Sequence, residues 1–108
     1  MKRIRKINYI EIDRLSASHP RLIVLITGKH CPFCKMLKNT VCSMSNAELK
    51  YAEIVELDIS KPENKQYAYQ NNIYTIPRLQ LYNNGRLVYT LIGALDKEEI
   101  IERINEFF

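Results

Sequence analysis

Two cysteines, Cys31 and Cys34, enclose a Pro-Phe pair in the stretch TGKHCPFCKML, residues 27–37. Thiols at this spacing serve three kinds of chemistry: half of a metal site, a permanent disulfide, or a dithiol that opens and closes. Zinc normally takes four ligands, and the candidates beyond the pair are Cys42, His30 and His19. Cys42 lies about 12 Å from Cys34 along a continuous helix, so the three thiols converge only if that helix breaks. A permanent disulfide needs an oxidising compartment, for which nothing else in the sequence argues. A redox pair needs only the local geometry. Cysteines three apart at a helix start bring their Cα atoms to about 5.5 Å, within disulfide reach. The first then meets the positive end of the helix dipole and free backbone N–H groups, which stabilise a thiolate. Cys31 is accordingly the expected exposed nucleophile and Cys34, one turn further in, the resolving thiol. Cys42 reads most simply as a small buried hydrophobe, and no metal is expected.

The elements around the pair must deliver that geometry. RLIVLIT, 21–27, is a near-continuous apolar run rich in β-branched residues, as a strand buried on both faces requires. Gly28 and the cysteines follow directly, and Pro32 starts a helix to about Ser45, since proline suits a first helical position. Leu37, Val41 and Met44 give that helix an inward face. Upstream lie a short strand at 3–8 and an amphipathic helix at 10–17 that ends before His19-Pro20. Downstream, AEIVELDI (52–59) reads as a second buried strand and 62–71 as a short polar helix carrying Tyr67 and Ala68. Asn84-Gly85 between RLQLY and RLVYTLI signals a hairpin with a type I′ turn. Asp96-Lys97-Glu98-Glu99 opens a last helix as a capping box, with Leu95 and Ile100 spaced as a hydrophobic staple. Its inward stripe is Ile100, Ile101, Ile104 and Phe107. The order βα, βα, βα, ββ, α implies a parallel section and an antiparallel hairpin: an α/β fold, a mixed central sheet flanked by helices on both faces.

The 108 residues fit one domain, 1–108, and 46% hydrophobic content supplies a core without disulfide staples. The net charge of +4 is spread along the chain. Only Lys2-Arg3-Ile4-Arg5-Lys6 forms a run, read as the solvated edge of a first strand rather than a nucleic-acid or lipid patch. The N-terminus lacks a signal-peptide pattern, and the longest apolar run is far too short to span a bilayer. A cytoplasmic protein with neither membrane nor nucleic-acid partners is the expectation.

A buried strand, CxxC at a helix start, a second strand, YTIP at 74–77, a hairpin, IGALDKEEI and a terminal helix together resemble the thioredoxin superfamily over nearly the whole chain. The resemblance implies a thioredoxin fold and a monomeric thiol–disulfide oxidoreductase. It implies no bound cofactor, disulfide-containing protein substrates, and electrons from thioredoxin reductase or from glutathione. It also implies a cis Ile76-Pro77 bond facing the cysteines, with the Ile76 backbone pairing an extended substrate and Thr75 and Gly93 beside it. Within the superfamily, CPFC and Thr75-Ile76-Pro77 resemble glutaredoxin. Ala94 replaces the second glycine of that family's glutathione site, however, and the extra N-terminal βα unit belongs to thioredoxin. A glutathione-dependent glutaredoxin, an oxidase and a non-catalytic thioredoxin-fold binding module are the alternatives.

Two departures bear on mechanism. His30 stands where thioredoxins carry tryptophan and is read, with Pro32 and Phe33, as an active-site tuning residue that assists the thiolate electrostatically, the alternative being a histidine that simply faces solvent. Leu25 stands where they carry a buried aspartate that takes the resolving thiol's proton, and Glu56 stands where they carry a lysine. Glu56 is either an edge-exposed glutamate or a replacement for the missing acid, buried and with a raised pKa suited to proton transfer.

Overall fold

The computed structural model describes residues 3–108. Its elements run β1 (Arg5–Ile7), α1 (Glu11–Ser18), β2 (Arg21–Thr27), α2 (Pro32–Ser43), β3 (Glu53–Asp58), α3 (Pro62–Gln70), β4 (Arg78–Asn83), β5 (Arg86–Ile92) and α4 (Lys97–Phe107). The described residues form a five-stranded sheet in the order β1-β3-β2-β4-β5. β1, β3 and β2 are parallel, and β4 and β5 are antiparallel to their neighbours, so the sheet is mixed as the element order requires.

β2 is apolar at every inner position because both faces are covered. Ile23 and Leu25 pack with Leu37, Val41, Ile100 and Ile104 of α2 and α4. Leu22, Val24 and Ile26 pack on the other side with Ile12, Leu15 and Ala68 of α1 and α3. Alternate residues of one strand thus feed two cores, which a strand with a solvated face does not do. Cys42 is buried in the first of them as a free thiol.

The boundaries depart from expectation in instructive ways. α2 stops at Ser43 rather than Ser45 because a separate turn begins there: the Ser45 hydroxyl accepts from the Glu48 N–H, and the Glu48 carboxylate accepts from the Ser45 N–H. This reciprocal capping box restarts the chain in a new direction and buries Leu49. β1 is shorter than 3–8, with Arg5 and Lys6 exposed on an edge strand and Ile7 buried. The basic run is therefore a solvated strand edge, although Lys2 lies outside the described residues. Asn84 and Gly85 have φ of 52° and 85°, the type I′ hairpin. On α4, Ile100 and Ile104 are fully buried while Ile101 and Phe107 only flank the core.

Two caps generate tests of this packing. The Asp96 carboxylate accepts from the Glu99 N–H at 3.0 Å, so Asp96→Ala lowers stability to urea by about 1 kcal/mol. The Glu11 carboxylate joins β1 to α1, accepting from the Asn8 N–H at 2.9 Å and from Arg5 and Arg14. The Asn8 N–H first, then Arg5, hold its carboxyl below the ordinary value. A depressed folded-state pKa stabilises at pH above the ordinary value, and that stabilisation is lost as pH falls through the lowered one. Thermal melts of Glu11→Gln are therefore expected to show a shallower acid limb than the parent below about pH 4, and parallel curves reject this.

Candidate active site

β2 ends at Thr27, and three residues turn the chain into α2. His30 takes a left-handed conformation, φ 53°, in which histidine is among the more tolerant side chains. That turn leaves Cys31 extended at the N-cap of α2, with Pro32 in the first turn. The Cys31 Sγ accepts from the Cys34 N–H at 3.1 Å, so a helix-start donor points at the sulfur. Cys31 and Cys34 are disulfide-bonded with their Cα atoms 5.2 Å apart. Cys31 is half-buried, whereas Cys34 is only 4% exposed. The outer thiol is accessible to a partner and the inner one is shielded, as the spacing implied. Phe33 is exposed beside them.

The second wall comes from the loop before β4. Ile76-Pro77 is cis. A Cβ on Gly28 would lie 2.5 Å from the Ile76 Cδ1, so the glycine lets the Ile76 side chain settle over the strand end that leads to Cys31. Pro77 is buried and its carbonyl accepts from the Gly93 N–H at 2.9 Å. Gly93 has φ of 105°, which favours glycine there. Thr75 is held by Arg78, whose guanidinium donates to the Thr75 carbonyl at 2.8 Å and to its hydroxyl at 3.0 Å. Thr75, Ile76, Pro77 and Gly93 are thus brought into one tied cluster at the end of the sheet from which α2 departs.

Beside the disulfide lies a half-open cavity of about 210 Å³, lined by Cys31, Cys34, Gly28, His30, Lys35, Lys38, Thr27, Glu56, Asp58 and Lys6. Glu56 is 5% exposed, which excludes the edge-exposed alternative. In the sheet it lies opposite Leu25, the position without an acid. Its carboxylate accepts from the Thr27 hydroxyl and from the Lys38 Nζ, each at 2.7 Å. These two partners escaped the sequence reading, although a signal existed. Lys38 follows Cys34 by four residues and so shares its helix face, and Thr27 is the cross-strand neighbour of Asp58, two residues beyond Glu56. Burial opposes the charge of Asp58, but the Ser60 hydroxyl and N–H, with Lys6 and Lys61, outweigh it and hold the carboxyl below its ordinary value. Among the described residues no group of three His, Cys, Asp or Glu side chains is placed to hold a metal, and none of their helices is long and apolar enough to cross a membrane.

The thioredoxin family model matches residues 5–106. A thioredoxin from Chlamydia muridarum is 33% identical over 102 residues, covering 93% of this chain and 97% of the relative. The marmoset Callithrix jacchus has a thioredoxin 29% identical over 96 residues, covering 88% of each. Among solved structures, thioredoxin f2 of Chlamydomonas reinhardtii superposes with a TM-score of 0.82 at 19% identity, covering 96% of this chain and 95% of that one. Oxidised mitochondrial thioredoxin 3 of Saccharomyces cerevisiae gives 0.80 at 21% identity, covering 95% and 94%. With a helix-capping CxxC disulfide, a cis-proline loop beside it and a sequence match from end to end of the fold, this chain belongs to the thioredoxin family.

Proposed function

We propose that the chain reduces protein disulfides through Cys31 and Cys34, with Glu56 as the proton acceptor. The observation that carries the reading is the inner thiol and a buried carboxylate sharing one cavity. The Cys31 thiolate attacks a substrate disulfide, forming a mixed disulfide and releasing one substrate thiolate, which takes a proton from solvent. Glu56 then accepts the Cys34 proton, and the Cys34 thiolate attacks the Cys31 sulfur. The second substrate thiolate leaves and is protonated, and two electrons have passed from the pair to the substrate. An upstream reductase reopens the internal bond. The cavity exceeds the space of a single water several-fold, so water can carry the proton between Cys34 and Glu56.

The other site residues have roles in the same scheme. The backbone of Ile76, with Thr75, Pro77 and Gly93 around it, supports an extended substrate segment by strand addition. Pro32 and Phe33 tune the redox poise, and exposed His30 lies beside the nucleophile where an aromatic residue would otherwise offer a contact. Thioredoxin reductase is the electron source favoured over glutathione, because Ala94 follows Gly93 where a glutathione site of the glutaredoxin kind needs a second glycine. The protein acts as a monomer without a bound cofactor. A reducing, cytoplasmic setting suits one reversible pair and one free core thiol, Cys42.

Electron source and mechanism are tested separately. With thioredoxin reductase the chain is expected to reduce a protein disulfide and with glutathione plus its reductase it is not, while Cys31→Ser is inactive with both. Turnover with glutathione alone selects the glutaredoxin reading, and no turnover with either leaves a binding module. Glu56→Gln keeps an acceptor for Thr27 but not a proton acceptor. It is expected to slow resolution of the Cys31 mixed disulfide by about tenfold or more and to change its pH profile, with little effect on the first attack. An unchanged resolution rate and profile by stopped-flow quenching would remove Glu56 from the mechanism.

A further inference from the structure

The charges around Cys31 are unequally engaged, and this bears on which disulfides the pair meets. Both carboxylates of the cavity are occupied: Glu56 by Lys38 and Thr27, and Asp58 by Lys6 and Ser60. The cations nearest Cys31 in the chain and beside the cis-proline loop are in no ion pair among the described residues. Lys29 and Lys35, exposed two residues before and four residues after Cys31, have no carboxylate within 4 Å among the described residues. Arg78 is tied to Thr75 through uncharged oxygens, so its charge is unopposed beside the cis-proline loop. The segments that carry these charges also expose apolar side chains: Phe33 at 61% next to the cysteines, Tyr74 at 70% before the cis-proline, and Ile92 at 53%, the cross-strand partner of Arg78. An arriving segment therefore covers apolar side chains and brings its flanks against uncompensated positive charge. Basic flanks are repelled there, and neutral ones desolvate the cations without replacing water.

Resting on the disulfide-reductase reading, we propose that the preferred substrates are protein disulfides in extended segments with Asp or Glu within a few residues of the attacked cysteine. An apolar residue next to that cysteine meets Phe33. The acidic flanks meet Lys29 and Lys35 on the cysteine side and Arg78 on the loop side. Steering of this kind acts on encounter and raises association rates tenfold or more at low ionic strength. It fades when salt shortens the screening length below the spacing of the charges.

The test uses three peptides of equal length, each closed by one intramolecular disulfide and differing only in flanking Glu, Gln or Lys. The full chain, fully reduced beforehand, is mixed with each, and the second-order rate is read at low and high salt. The Glu peptide is expected to react about tenfold faster than the Lys peptide at low salt, with the ratio approaching one at high salt. In Lys29→Glu/Lys35→Glu the order of the peptides reverses. Because the readout is a ratio between peptides, a change in the nucleophile itself cancels. Equal rates at low salt, preference for the Lys peptide, or a ratio indifferent to salt overturns the proposal while leaving the reductase reading intact. Should the double variant not fold, the salt dependence of the parent decides alone. Reaction with none of the three peptides overturns the reductase reading, and this inference with it.

Discussion

A carboxylate inside an apolar sheet constrains everything around it. Desolvating a charge costs several kcal/mol even after relaxation, and removing its partner costs more than removing the pair. Glu56 is placed on β3 between the fully buried Leu25 of β2 and Lys6 of β1, and the Lys6 ammonium pairs with Asp58 instead. α2 has to run across that face of the sheet so that Lys38 reaches the carboxylate, and β2 has to end in a hydroxyl residue, Thr27, to occupy another lone pair. The same placement of α2 brings Cys34 to the cavity that Glu56 also lines. Polar satisfaction of one group and assembly of the redox site are thus one requirement.

The outer half of the site depends on backbone rather than charge. A left-handed His30 and an extended Cys31 let the chain leave β2 and enter α2 with the sulfur lying over the first turn's N–H groups. Because helix-start amides lack partners of their own, a sulfur at the N-cap satisfies a donor and gains a favourable environment for its anion. The cis-proline loop is pinned on two sides, by Gly93 through the Pro77 carbonyl and by Arg78 through Thr75. Its Ile76 side chain packs with its Cδ1 where a Cβ on residue 28 would lie, so any larger residue at 28 requires that side chain to turn aside. Small residues at 28 and 93 therefore matter for different reasons, close approach in one case and a left-handed backbone in the other.

How much of this was legible depends on the range of the signal. β2, the Asn84-Gly85 turn, the Asp96 cap and the helix-start cysteines are all written within a few neighbouring residues, and periodicity and capping chemistry read them directly. The end of α2 was misread because its apolar stripe continues through Met44, which is buried after the helix has stopped. The stop is set by Ser45 and Glu48, a pattern that looks like ordinary helix composition until a cap is suspected. Glu56 could be flagged as a charge in a strand, but whether it faced solvent depended on which strand covered it. With β1 on the far side of β3, Glu56 is internal, and that pairing is a long-range fact. His30 carries no local mark of its conformation at all.

The exchange of acid for Leu at 25 and lysine for Glu at 56 is more than a swap across two strands. Moving the carboxylate to β3 while supplying the cation from α2 ties the charged pair to the helix that carries the cysteines, instead of closing it within the sheet. Lys38 is only partly buried, with 36% of its side chain exposed, against 6% for Glu56. Its ammonium group can therefore exchange the carboxylate for water with little penalty, whereas the carboxylate has no comparable route. A buried ion pair of this kind adds little net stability, since an apolar pair of similar volume is often neutral or better. Stability alone therefore does not explain keeping an acid at 56. A carboxylate that shares a cavity with Cys34, paired to a lysine that solvent also reaches, is what the proposed proton transfer requires and what an apolar side chain could not supply.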